Sequence, residues 1–371
     1  MASCARVEPS PDVLPQARTE PAAATAGGDG RGWSLLLGVA LFLIYTANGR
    51  PIGAGDTVPA TLLPVALIRG DGPLLDRFDH ALRTPEGRLP GYAAEARGHA
   101  VSRYPLGPAL VAVPFVLPQV LALDWLRPGW ERDAAQARRA CGRMGKNAAA
   151  AIAALAAVAL YHLLLGLGLR RAALPAVLAT ALGSDSWAVA GQALWQHGPA
   201  ALCLTGAMLW LLPPEPGRRR PGLAGLATAL VVVCRPIDLV FALVIALVVW
   251  RRHPRRERLQ FFAPAALVAA ALGAYNIWFF DTLNGGYAQI EAMHPWAHGV
   301  KGTWTGDLIG GASGTLASPS HGLFVFCPWV ALALAVLPAT AGRLGRWPLV
   351  RGLLWGLVPY FLLLAKYSCW W

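Results

Sequence analysis

The sequence predicts an all-α polytopic membrane protein with about nine transmembrane helices and a long first extracytoplasmic loop that carries juxtamembrane helices. Three observations carry this. Of the 371 residues, 56% are hydrophobic and only 14% charged, against roughly a quarter charged in soluble domains. Several apolar stretches approach the ~20 residues that cross a bilayer as a helix. They are long and continuous, unlike the ~10-residue alternating segments of a membrane β-barrel, and helices are then the remaining way to satisfy a backbone in lipid.

Residues 1–32 are rich in Ala, Pro and Gly and contain no apolar run, which predicts a disordered cytoplasmic tail. The first span, Trp33–Asn48, then acts as an uncleaved anchor of a membrane domain covering 33–371. Further spans read at Ala148–Leu169, Ala172–Ala190, Pro199–Leu212, Phe261–Phe280, Leu323–Pro338 and Leu353–Tyr367. Two stretches need the distribution of charge to place them. Tyr104–Leu123 is apolar but carries Pro105, Pro108, Pro114 and Pro118, and Leu223–Trp250 is too long for one span and holds Arg235-Pro236 at its middle.

If the proline-rich stretch stays on the outer surface and Leu223–Trp250 is a hairpin, thirteen basic residues fall on one face. They are Arg170 and Arg171, Arg218 to Arg220, the five between Arg251 and Arg258, and Arg343, Arg346 and Arg351. The six from Arg127 to Lys146 face the other side, within a loop too long for the positive-inside rule to weigh heavily. The amino terminus is then inside. The outer face receives 50–147, the short segment 191–198, a second large loop 281–322, and the carboxyl end. The net charge of +12 is accordingly a topological signal and not the footprint of a nucleic-acid partner. The six cysteines are scattered without a CxxC or a metal spacing, so neither a disulfide framework nor a zinc site is expected.

The outer segments hold nearly all the unusual polar residues. Directly after the first span comes Asn48-Gly-Arg50-Pro-Ile-Gly53-Ala-Gly55-Asp56-Thr57. The glycines allow close approach of the backbone to a ligand, and Asp56 places a carboxylate just above the membrane, where it can serve as a base or as a helix cap. In Leu75-Asp76-Arg77-Phe-Asp79, the two carboxylates are fallback candidates or a solvated helix face with Arg77 as local partner. Arg235 lies at the apex of a hairpin whose first arm, Gly222 to Cys234, is about 20 Å long, short of the ~30 Å hydrocarbon core. A guanidinium at that depth needs a partner. A lipid phosphate would fit it, and so would Asp238 three residues on.

The short loop from Trp187 to Trp195-Gln-His197 offers an aromatic face with an amide and an imidazole, a surface that can hold a sugar ring or simply mark the interface. In the second large loop, Asp281 to Gly322, glycines, Trp and His accumulate. Its His294 and His298, with His321, show no metal spacing, so no metal site is assigned.

Taken together, these elements resemble the GT-C superfamily of polytopic glycosyltransferases that use polyprenyl-phosphate sugars, in the branch of protein O-mannosyltransferases and lipid A aminoarabinose transferases. The matching features are the acidic residue after the first span (Asp56), Tyr104-Pro105-Leu-Gly-Pro108 in the first loop, and Arg138-Arg139-x-x-x-Arg143 before the second span. To these are added Gly183-Ser-Asp185-Ser-Trp187 and the Gly222-Leu-Ala-Gly225 stretch leading to Arg235. The likeness is of architecture more than of signature. It implies Asp56 as the general base at the reaction centre and Asp185 in the place of the family's second acidic residue. It implies a polyprenyl-phosphate sugar donor and a membrane lipid as partners and a location in the cell's inner membrane; on that reading Arg235, with Arg50 or Arg103, holds the donor phosphate, and Tyr104, Asp185, Trp195, His197 and Asp281 are the further candidates for binding substrate. Some family members need a divalent cation, and that requirement stays open here. The chain ends at Lys366-Tyr-Ser-Cys-Trp-Trp371, where sequences of this type continue into a Gly-rich loop and further spans, so it reads as carboxyl-terminally truncated.

Two other classes remain. A secondary transporter or lipid flippase predicts inverted repeats and broken helices; the Arg235-Pro236 break fits, but it has no second copy. A noncatalytic assembly protein predicts tolerance at Asp56 and Arg235. The long first loop favours the enzyme, because transporters concentrate their polar function within the spans.

Overall fold

The computed structural model describes residues 29–213, 216–293, 302–344 and 346–368. Residues 1–28 of the expected tail, His294 and His298 lie outside them; residues 29–32, expected as the end of that tail, are instead the first turn of a helix. The described chain is a mostly helical membrane protein. Four helices are long and apolar enough to cross a bilayer: Gly107–Leu126, Ala134–Gly166, Arg255–Phe280 and Pro348–Lys366. Large apolar side chains point outward from several helices, with Leu267 72% and Trp355 71% exposed, an arrangement stable against lipid and costly in water.

Helix α1 (Asp29–Thr46) packs along the second half of α5 (Ala134–Gly166). The contact is close because both faces are small: Gly38 lies against Val158, and Ala150, Ala153, Ala154 and Ala157 are buried beside Leu41 and Tyr45. With 33 residues, α5 is about 50 Å long. Its first half belongs to a different cluster, made with α2 (Thr57–Ile68), the short α3 (Asp79–Leu82) and α4 (Gly107–Leu126). The basic Arg138, Arg139 and Arg143 are therefore part of a helix and not of a loop. Asp133 caps that helix by accepting from the Gln136 amide at 2.7 Å.

The proline-rich stretch keeps its helix despite its prolines. It is one unbroken helix, α4, and one of the four long and apolar enough to span. Pro108 occupies the first turn, where a missing N–H costs nothing, and Pro114 and Pro118 turn toward the exposed side. Along its length α4 is tied to the first half of α5, where Asn147 donates to Gln119 Oε1 at 2.9 Å.

Between α3 and α4 stands an antiparallel hairpin, β1 (Ala93–Ala96) with β2 (His99–Ser102), which an all-α expectation omitted. Asp76 is committed to it, accepting from the Ala100 amide at 2.7 Å and meeting His99 Nδ1 at 2.6 Å. Asp79 is taken by Arg83 at 2.7 Å. Arg77 pairs with Asp71 and Glu131, not with its sequence neighbours.

Glu131 joins this pair to Arg69, which also grips Asp124 at 2.6 Å. The network pins the end of α2 to the α4–α5 turn. Removing Arg69 leaves two part-buried carboxylates without their main partner. Arg69→Ala is accordingly expected to lower stability by roughly 1–2 kcal/mol, measured by chemical denaturation in detergent.

Beyond α5 the chain forms α6 (Arg170–Leu182), a π-turn over Ser186–Ala190, and α7 (His197–Leu211). Then α8 (Pro221–Cys234) and α9 (Leu239–Arg252) meet at Arg235, as the Arg-Pro break requires. The start of α10 (Arg255–Phe280) returns to the start of α8: Arg219 reaches Glu257 at 3.4 Å, and Gly225 abuts the backbone of Phe261. So α8 and α10 run parallel and α9 runs back between their ends, which makes α8–α9 a hairpin.

The second large loop contains α11 (Tyr287–Met293) and α12 (Leu308–Ala317). The expected span Leu323–Pro338 is divided at Cys327-Pro328 into α13 (Leu323–Phe326) and α14 (Pro328–Leu344). The last helix, α15 (Pro348–Lys366), packs along α9 through Gly352 and Gly356 against Val244. That packing brings Tyr360 level with Arg235.

Candidate functional site

The segment Asn48–Asp56 is held by the loop that follows the π-turn. Gln192 is the clasp. Its backbone carbonyl accepts from the Ile52 amide at 3.2 Å, and its side-chain oxygen takes Asn48 Nδ2 at 2.7 Å and the buried Lys146 Nζ at 2.5 Å. Trp195 adds a hydrogen bond from Nε1 to the Ile52 carbonyl at 3.3 Å. Gly53 is required here, since a Cβ would collide with Thr57 and Ala193.

This clasp delivers Asp56 to the start of α2, but the residue does not cap the helix. Its backbone is already helical, and its carboxylate makes no cap hydrogen bond. Oδ1 is buried with no hydrogen-bond partner among the described residues. Burial pushes the carboxyl group above the usual carboxylate range, while backbone N–H groups at Asp56 and Thr57 pull in the opposite direction. Of the two sequence readings, capping is removed. What remains is a desolvated carboxylate with an unpartnered oxygen, poised to accept a proton.

Two close backbone contacts bring the other groups to it. Gly107 leaves no room for a side chain against Val233 and Cys234, which seats the start of α4 on the α8–α9 break. Gly286 is equally tight against the backbone of Arg103. Tyr104 and Tyr287 meet edge to face, with ring centroids 6.1 Å apart. The Tyr104 hydroxyl is held above its ordinary value by burial first, then by the charge of Asp56. Tyr287 is pushed up to about 12, chiefly by burial, and lies within electrostatic reach of both Asp56 and Arg235. Its hydroxyl exchanges hydrogen bonds with the Gln196 amide at 2.8 and 3.1 Å.

Arg235 stands on the far side. It donates to the Tyr360 hydroxyl at 2.5 Å and stacks over that ring at 5.8 Å from its centroid. Asp238 is 3.6 Å away, a loose pairing. The internal partner foreseen from sequence is present, yet the guanidinium is not locked by it and keeps a quarter of its side chain exposed. His197, at the start of α7, is exposed and within electrostatic reach of Arg235.

Of the residues assigned from sequence, Asp56, Tyr104, Trp195, His197 and Arg235 are gathered here by these contacts. Arg103 joins through its backbone. Its guanidinium is occupied by Gln289 at 3.0 Å and the Gly91 carbonyl at 2.9 Å, and burial lowers its pKa. Arg50 is exposed and makes no hydrogen bond or ion pair among the described residues. Asp185 and Asp281 stand elsewhere. Asp185 is exposed beside Cys327, and Asp281, 80% exposed, ends α10 in a left-handed conformation and pairs with Arg97 at 3.0 Å.

Sequence reasoning missed Tyr287, Tyr360 and Lys146. The two tyrosines lie in an aromatic-rich loop and an apolar span, where nothing local distinguishes them. Lys146 was visible as a cation at the edge of a span, a signal that could have been followed. No group of three or more His, Cys, Asp or Glu able to hold a metal occurs among the described residues.

Comparison of the chain with protein-family models, with curated proteins and with solved structures finds no match in any of the three.

Proposed function

We propose that the chain is a membrane glycosyltransferase that moves a sugar from a polyprenyl-phosphate donor to an acceptor at the extracytoplasmic face. The reading takes the nine-span topology with its amino terminus inside. It rests above all on Asp56, whose carboxylate oxygen is buried without a partner at a helix start it does not cap. A structural carboxylate in such a place would be consumed by a hydrogen bond; a base must keep a lone pair available.

In the proposed step, Asp56 takes the proton of an acceptor hydroxyl or amine as that atom forms a bond to the anomeric carbon of the donor sugar. The bond from this carbon to the phosphate oxygen breaks, and its electron pair leaves with the polyprenyl phosphate. Arg235 neutralises the developing charge, exchanging its loose 3.6 Å contact with Asp238 for bidentate hydrogen bonds. Tyr104 and Tyr287 supply walls against which a sugar ring can stack. Tyr287 lies within electrostatic reach of Asp56, Tyr104 and Arg235, and this gathering of a base and a phosphate partner around aromatic rings supports transfer over transport.

The test is transfer of labelled sugar from a panel of polyprenyl-phosphate sugars in membranes containing the chain. Wild type is expected to transfer from at least one donor, and Arg235→Ala to lose roughly 10²-fold or more in kcat/KM. Movement of the intact lipid-linked sugar across the bilayer, with no new glycosidic bond, would overturn the reading in favour of a flippase.

A further inference from the structure

Away from those residues, a cavity of about 710 Å³ opens between the end of α4 and the start of α5. Its walls carry the guanidinium groups of Arg127, Arg139 and Arg143, alongside Leu123 and Leu126. None of the three arginines makes a side-chain hydrogen bond or ion pair among the described residues. The single carboxylate in the wall, Asp133, is already engaged as the cap of α5. Three uncompensated positive charges around one pocket call for an anion, and their rigid forks favour phosphate.

The surroundings say what carries that phosphate. The outer face of α4 next to the pocket is apolar and open: Leu121 is 59%, Leu126 64% and Trp125 82% exposed. A soluble phosphate has no use for such a strip. A lipid does, because its acyl chains can lie on α4 while Trp125 sits at headgroup level. A volume near 710 Å³ also exceeds what a bare phosphate fills and suits a headgroup with its glycerol.

We infer that the α4–α5 groove is a binding site for the phosphate headgroup of an anionic membrane phospholipid, separate from the residues around Asp56 and Arg235 and independent of the reaction proposed there. Loading the groove ties the outer helices to the bilayer at a fixed depth.

The full chain, purified in neutral detergent, is titrated with phosphatidylglycerol and with phosphatidylcholine while bound lipid is counted by native mass spectrometry. Phosphatidylglycerol is expected to bind roughly tenfold tighter or more. The Arg127→Gln, Arg139→Gln, Arg143→Gln triple variant is expected to lose that preference, and the single Arg139→Gln and Arg143→Gln variants to lose part of it. All three side chains are on the surface, so elution as wild type on size exclusion checks the fold, and the single variants carry the test if the triple does not fold. Asp56→Asn keeps the preference, which separates this site from the residues around Asp56 and Arg235. Equal binding of the two lipids, or a preference that survives in every arginine variant, would overturn the inference. Glycerol 1-phosphate competing as well as the lipid would overturn it too, by assigning the groove to a soluble phosphate ester.

Discussion

Asp56→Asn is expected to reduce transfer by roughly 10²- to 10⁴-fold, the usual range for loss of a general base, while leaving the protein as stable as the wild type or more so at neutral pH. The two halves of this result follow from one cause. Burial holds the folded-state carboxyl above its ordinary value, so its contribution to stability is fully present only below the unfolded-state pKa and is lost as pH rises through the folded one. At pH 7 the ionised side chain therefore strains the fold, and the neutral amide relieves the strain. In the wild type, kcat/KM should climb as pH passes through a midpoint above the usual carboxylate range, because the proposed reaction uses the base form. Melting temperature against pH, for wild type and variant, checks the stability half: the two curves should converge in acid. A variant that loses activity and melts well below the wild type at pH 7 would return Asp56 to a structural role.

The largest loss of stability is expected from Gly225→Val. At Gly225 α8 passes so close to α10 that any Cβ would strike the carbonyl of Phe261. The obstacle is backbone and cannot rotate away, so the two helices must separate and open the core around Phe261, Ala224 and Val231. The cost should be about 3 kcal/mol or more, visible as lost yield of folded protein and a lower unfolding midpoint in detergent. Because α8 ends at Arg235, the residual folded protein should also show weakened donor binding. Gly222→Ala, where the nearest atom stands 3.6 Å from the added carbon, is the matching control and should be nearly neutral.

Much of the membrane architecture was legible because its signals are local. An Arg-Pro pair inside an apolar run fixes the α8–α9 break wherever the neighbours lie, and the glycines before Asp56 announce a tight passage. The lobe made of α2 to α4, the β-hairpin and the start of α5 was less legible, since tertiary contacts decide its form. Prolines that a solitary helix would not tolerate are carried by α4, because two of them face outward and α5 supports the inner side. The β-hairpin is two four-residue strands with little alternation, anchored by Asp76 from elsewhere in the chain. In the site, Asp56 and Arg235 stood out as polar residues in apolar settings. Tyr287 and Tyr360 owe their place to helix packing between distant segments, which composition does not encode. Asp185 and Asp281 illustrate the reverse: loop carboxylates that look available in sequence and stand at the surface in the fold.

The continuity of α5 has a mechanical meaning. A single helix of about 50 Å threads both the outer cluster and the α1 contact inside the bundle, so it acts as a girder that transmits displacement from one to the other without a hinge. Rotation of the α2–α4 lobe against the rest of the bundle would have to break that helix. In the proposed reaction, any opening and closing around Asp56 and Arg235 falls to the shorter connections at 48–56, 191–197 and 284–289, so that the tempo of turnover would be set by loops hung on a stiff frame.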